Sequence, residues 1–178
     1  AAALLFSALV YVARSLEPGR VVGRVTGFHL WSAMLLLVAL VVQIGAGAFV
    51  AGLDAGMGYN TWPLMDGAVI PNGLFIMEPA WRNFFENALT VQFNHRAIAY
   101  LITAYVAWLT WRRYKDGGFA GVHGWLPRIG FMVLLQVVLG VATLLASVPI
   151  SLAVGHQALA FMLAGLVVAY LADMRRVR

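Results

Sequence analysis

Two histidines stand inside apolar runs long enough to cross a membrane, and each opens a similar phrase: His95-Arg96-Ala97-Ile98-Ala99-Tyr100 is echoed by His156-Gln157-Ala158-Leu159-Ala160-Phe161. A helix that faces lipid has no use for an imidazole, and ionisable residues within membrane spans point to function by default. Two imidazoles at one level on parallel helices can clamp an iron from opposite faces of a planar macrocycle, whose potential is then set by apolar walls and helix packing. Arg96, beside the first histidine and near one membrane surface, has the planar fork that suits a carboxylate such as a propionate. The structural alternatives are a histidine that hydrogen-bonds between helices and an arginine that snorkels to the surface. The repeated phrase and the matched depth favour the ligand pair.

The chain around these residues is built for lipid. It has 178 residues, 62% hydrophobic and 11% charged, with a mean hydropathy of +0.86; a soluble domain has about 45–50% and about 25%. This composition predicts an all-α integral membrane protein. The net charge of +5 does not point to nucleic acid, because the basic residues fall in blocks between apolar runs. With no cysteine, disulfides and thiolate metal sites are excluded.

A helix needs about 20 residues to span a bilayer. Residues 1–13 are too few, and are expected to be the tail of a truncated transmembrane helix. Complete spans are expected at Leu30 to Gly52, Thr90 to Trp111, Ile129 to Val148 and Leu152 to Ala172, with residues 14–178 forming one four-helix bundle. In the first span, Ala48, Gly52 and Gly56 at four-residue intervals would admit a neighbouring helix closely. The connection 53–89 is too polar and too rich in Gly and Pro to span, yet carries Tyr59, Trp62, Phe75, Trp81, Phe84 and Phe85. Such amphipathic rings belong at the headgroup level. Pro79 to Asn87 is expected as a short helix on the surface, and Asp54 and Glu86 as helix caps within the connection.

Charge placement sets the expected topology. Arg14, Arg20, Arg24, Arg112, Arg113, Lys115, Arg128, Arg175, Arg176 and Arg178 all fall on one side, whereas the 53–89 connection has Asp54, Asp66, Glu78 and Glu86 against Arg82. The positive-inside rule puts the basic loops on the cytoplasmic or matrix side and the connection outside. The His95 and His156 spans then both run inward, each histidine a few residues from the outer end. His29 is expected at the inner interface and His123 in solvent. The helix before each site histidine repeats too: Gln43 is followed four residues later by Gly47, and Gln136 by Gly140. Two Gln-helix/His-helix pairs would form a bundle with a pseudo-two-fold axis along the membrane normal. Small and polar residues that mediate packing explain the same positions equally well.

Longer motifs carry a resemblance. Ala46-Gly47-Ala48-Phe49-Val50-Ala51-Gly52-Leu53-Asp54-Ala55-Gly56, Tyr59-Asn60-Thr61-Trp62-Pro63-Leu64-Met65, Asn83 to Asn87, Val91 to Arg96, Leu135 to Leu144 and His156-Gln157-Ala158 together resemble the signature of heme A synthases, over essentially Gln43 to Ala160. The resemblance implies half of a pseudo-symmetric eight-helix protein of the bacterial plasma membrane or mitochondrial inner membrane. It implies oxidation of the C8 methyl of heme O to a formyl group, through successive hydroxylations to a geminal diol that loses water. His95 and His156 would be axial ligands of a heme b in the carboxy-terminal half, with Arg96 beside it. The family's catalytic glutamate would lie in the other half, so no catalytic residue is assigned here, and Glu86 is at best a placeholder. Heme O synthase and an electron acceptor are the implied partners besides lipid and heme O, and a homo-oligomer is compatible with the reading. The alternative is a bis-histidine b-type cytochrome that only carries electrons. Against it stands the Asp54-Ala-Gly and Tyr59-Asn-Thr-Trp-Pro connection, which a carrier does not need. A transporter would require polar residues spread through the depth of the bundle, and few are present.

Overall fold

The computed structural model describes residues 2–19 and 21–177. Ala1, Arg20 and Arg178, the last two counted in the basic blocks above, lie outside the described residues. Among those described, all regular elements are helical, apart from isolated bridges between Val21 and Val177 and between Met65 and Ala68.

In chain order, α1 (Ala2–Leu16) precedes α2 (Gly27–Gly52) and the single-turn α3 (Ala55–Gly58). Within the 53–89 connection, whose end of the bundle is called outer and the opposite end inner purely as labels, a 3-10 turn (Ala80–Arg82) runs directly into α4 (Asn83–Glu86), and α5 (Ala88–Lys115) follows at once. A second 3-10 turn (Gly121–Gly124) leads into α6 (Trp125–Leu145), and α7 (Ile150–Arg176) ends the chain. The helices α2 and α7 and the continuous segment of the 3-10 turn with α6 are long and apolar enough to cross a membrane, which makes this a multi-pass membrane protein. The fourth long helix, α5, has 28 residues, about 42 Å at about 1.5 Å rise. His95, Arg96 and the basic last turn Arg112, Arg113 and Lys115 lower its hydropathy.

The order of packing decides what faces what. Neighbouring pairs are α2 with α5, α5 with α6, α6 with α7 and α7 with α2, closing a ring, while α1 lies outside against α7. The helices α5 and α7 are therefore diagonal across the bundle, and so are α2 and α6. The inner half is a packed core: Leu36, Ile102, Val106, Ile129, Val133, Leu163 and Val167 are all buried. The outer half, in contrast, is hollow.

At the inner end two polar clusters tie the helices together. The buried Asp173 carboxylate accepts from Arg14 Nη2 (2.6 Å) and Nε (3.2 Å), from Trp125 Nε1 (2.9 Å) and from Arg176 (3.5 Å), joining α1, α6 and α7. His123, expected in solvent, is instead only 1% exposed. One ring nitrogen lies 3.0 Å from the Arg24 carbonyl and the other 3.2 Å from the Tyr170 hydroxyl. The 3-10 turn folds this loop back under α7, a long-range contact that local polarity does not reveal. His29 is half-buried beside it, their ring centroids 4.6 Å apart, and its Nδ1 accepts from the Thr26 amide in a capping box.

The outer connection is ordered by asparagines, in place of the acidic caps expected. Asn87 Oδ1 accepts from the amides of Leu89 and Thr90 and so caps α5, while its Nδ2 donates to Gly73 O (3.0 Å). Asn83, fully buried, holds Met77 at both main-chain groups and donates to Ala80 O. Asp54 precedes α3 in a left-handed conformation (φ 48°) and makes no side-chain cap. Glu86 pairs with Arg82 at 2.5 Å, and that hydrogen bond holds its carboxyl below the usual carboxylate range. The close approach of another helix expected along α2 is not found at Gly52, which faces open space; Gly56, on α3, is instead crowded by the α6–α7 link, where a Cβ would stand 2.8 Å from Val148.

Candidate functional site

Each site histidine is placed by its helix. His95 is seven residues past the first residue of α5 and His156 six past that of α7, so at about 1.5 Å per residue their depths differ by about 1.5 Å. Diagonal helices that run the same way bring both rings to one cavity, of about 460 Å³. That volume suits a bound organic cofactor, whose pockets run from about 300 to about 1,000 Å³. The lining is largely apolar, with Ile44, Val137, Val141 and Phe161 among its walls, and Asp54 is the one acidic residue that reaches it among those described.

Around each histidine the same local unit recurs. On α2, Gln43 Nε2 lies 3.1 Å from His95 O, 3.1 Å from Nδ1 and 3.3 Å from the ring Nε2. On α6, Gln136 Nε2 lies 2.9 Å from His156 O and 3.4 Å from the ring Nε2. One helical turn further along, a Cβ on Gly47 would meet His95 Cε1 at 3.1 Å, and a Cβ on Gly140 would meet His156 Cε1 at 2.8 Å. Each ring thus packs directly on a glycine, and a methyl group added there would have to be met by a shift of the ring, more at Gly140 than at Gly47. The Gln-to-Gly spacing in the sequence was the visible trace of this duplication, and packing glue and site geometry are here the same residues.

Arg96 neither snorkels freely nor stands open. Its Nη2 donates to Tyr59 O (2.7 Å) and Nη1 to Leu64 O (3.5 Å), while Nε is buried without a partner. Gln92 Nε2 donates to the same Tyr59 carbonyl at 2.9 Å, and Trp62 Nε1 donates to Tyr100 Oη at 3.1 Å. Gln92, Arg96 and Tyr100 are spaced i, i+4, i+8 along α5 and therefore form one stripe, which straps residues 59–64 over the outer end of the cavity. Asn60 Nδ2 extends the strap to Ser147 in the α6–α7 link (3.2 Å). The sequence reading missed Gln92, Asn83 and Asn87; the polar four-residue spacing from Asn83 through Asn87 into the start of a span was the available signal.

These residues fit an iron macrocycle bound through two imidazoles. Both histidines and Arg96 line one largely apolar cavity, and His156 Nδ1 and Arg96 Nε are buried without a partner.

Comparison with known proteins then gives a consistent picture. The family described as cytochrome oxidase assembly protein (COX15-CtaA) matches residues 1–168. A heme A synthase from Mesorhizobium japonicum is 44% identical over 177 residues, covering 95% of this chain and 46% of that protein. Those from Parvibaculum lavamentivorans and Wolbachia pipientis wMel are each 45% identical, over 94% and 80% of this chain and 47% and 39% of theirs. The chain spans about half the length of the curated relatives it matches. No solved structure gives a significant match.

Proposed function

The chain belongs to the cytochrome oxidase assembly protein family (COX15-CtaA), and from that premise we propose that it supplies the cofactor-binding half of a heme A synthase. In this reading residues 14–178 are the heme-binding bundle and α1 is the end of a further membrane helix. The whole enzyme oxidises the C8 methyl of heme O to the formyl of heme A, in the bacterial plasma membrane or mitochondrial inner membrane. The 53–89 connection lies outside and the basic loops inside.

The observation that carries the proposal is the presence of His95 and His156 on diagonal helices, at one depth, in one apolar cavity. Their imidazoles would hold a heme b, which when bound would accept and pass on single electrons. The chain's own residues do the rest. The apolar walls exclude water, Arg96 Nε–H faces a carboxylate at the outer rim, and the strap of residues 59–64 covers that edge. No residue of this chain is assigned as the catalytic acid or base on the substrate. Heme O as substrate, heme O synthase and an electron acceptor as partners belong to the whole enzyme.

The test is a reduced-minus-oxidised spectrum with pyridine hemochrome analysis on the chain purified in detergent. One low-spin heme b per chain is expected, lost on His95→Ala or His156→Ala and kept on His29→Ala. A full six-coordinate spectrum in both site variants would refute the ligand pair. Restoring the sequence that the longer relatives carry, and assaying heme O conversion, separates the enzyme from a plain b-type cytochrome.

A further inference from the structure

The two glutamines do more than pack, and the inference below rests on the heme reading just given. Each Gln amide nitrogen is fixed by donation to the main-chain carbonyl of its own histidine, at 3.1 Å for Gln43 and 2.9 Å for Gln136. A carbonyl needs a donor, so this bond also fixes which end of the amide is oxygen. That oxygen, Oε1, is buried and without a partner in both residues, and His156 Nδ1 is a buried ring nitrogen in the same condition. Buried polar groups are rarely left unpaired, because each costs about 1–3 kcal/mol. The same deficit recurs at Gln92 Oε1 outside the unit, but only Gln43 and Gln136 combine it with a bond to their histidine's own carbonyl.

An imidazole that gives one nitrogen to a metal must carry its proton on the other, and that N–H needs an acceptor. The amide that already holds the histidine's main chain has its oxygen unused. We infer that Gln43 and Gln136 are positioning residues: Oε1 of each accepts the Nδ1–H of His95 or His156 when that ring ligates iron, setting ring orientation and ligand basicity. The amide stays anchored on the histidine's own carbonyl, so the exchange needs rotation of the ring and leaves the helices in place. Gly47 and Gly140 leave the room in which the ring turns.

The experiment uses the heme-loaded full chain with Gln43→Leu, Gln136→Leu and the corresponding Glu variants, the latter keeping an acceptor oxygen. The readouts are midpoint potential, heme dissociation and the low-spin electron paramagnetic resonance signature. A Leu variant is expected to keep six-coordinate heme while losing about tenfold in its preference for ferric iron, a rise of about 59 mV for one electron. Heme retention should weaken by about 10- to 100-fold. The Glu variant should return the potential to the wild-type value or below it. Unchanged potential and dissociation in the Leu variants would overturn the inference while the heme reading stands. Equal loss of heme in Leu and Glu variants would also overturn it, since the glutamine would then merely hold the helices together. Wild-type protein without a bis-histidine heme would instead defeat the heme reading itself.

Discussion

Replacing Gly140 by alanine should weaken heme binding while leaving the heme-free bundle close to its original stability, and the reason lies in when the new methyl group is felt. Its Cβ would stand 2.8 Å from His156 Cε1, 3.4 Å from Nδ1 and 3.5 Å from the ring Nε2, and the first of these is too short for two carbons. Without a ligand the ring is free to turn aside, and alanine in a helix interior gains about 1 kcal/mol over glycine, which offsets the residual crowding. Once the ring is fixed by coordination it can no longer yield, so the overpacking cost of about 1–3 kcal/mol falls on the bound state. At about 1.4 kcal/mol per tenfold, heme affinity should fall by about five- to 150-fold. The matching Gly47→Ala change provides the internal control: its Cβ meets His95 Cε1 at 3.1 Å and Nδ1 at 3.6 Å, so its loss should be clearly smaller. The assay is heme transfer to an excess of apo-myoglobin, followed in the Soret band, beside thermal unfolding of the heme-free protein. Wild-type retention in Gly140→Ala, or a larger loss in Gly47→Ala than in Gly140→Ala, would refute the reasoning.

Two further outcomes follow from the polar ties. Asp173→Ala removes the one carboxylate joining α1, α6 and α7 and orphans the donors of Arg14 and Trp125; it should cost about 3 kcal/mol in denaturant unfolding and open α1 to proteolysis. Asn87→Ala removes the α5 cap and a main-chain tie to Gly73, so it should cost about 1–2 kcal/mol, with faster amide exchange at Leu89 and Thr90 by mass spectrometry.

What could be read from the sequence was whatever repeats with a helical period or depends on bulk transfer to lipid. The long helices, the facing histidines and the Gln-to-Gly units were legible because each is a spacing within one apolar run. Helix ends were less so: α5 and α7 each extend four residues further than the hydropathy suggests, since Arg112, Arg113, Arg175 and Arg176 continue a helix into the headgroup region as readily as they end one. His123 was misread because its burial depends on Tyr170 and the Arg24 carbonyl, partners far away in sequence. The capping roles given to Asp54 and Glu86 failed for a related reason. Asn87 already fills the cap of α5, and Glu86, one residue earlier, is left to the exposed Arg82.

The duplicated unit also explains why the site is in the outer half. Two-fold repetition of a Gln helix and a His helix places four polar groups, Gln43, His95, Gln136 and His156, at one level around the cavity. Below that level the repeat is free to be apolar, and Leu36, Ile102, Ile129, Val133 and Val167 fill it. At the outer end the symmetry breaks. One His helix is entered through the long 53–89 connection, strapped to α5 by Gln92, Arg96 and Tyr100; the other is entered through the few residues between α6 and α7. In the proposed reading, ligation of iron would depend on the symmetric part. A cofactor's polar edge would meet only the asymmetric part, where Arg96 is the cation that lines the cavity among the described residues. In the proposed reading the repeat would hold the iron, and the single long connection would hold the macrocycle's polar edge through Arg96.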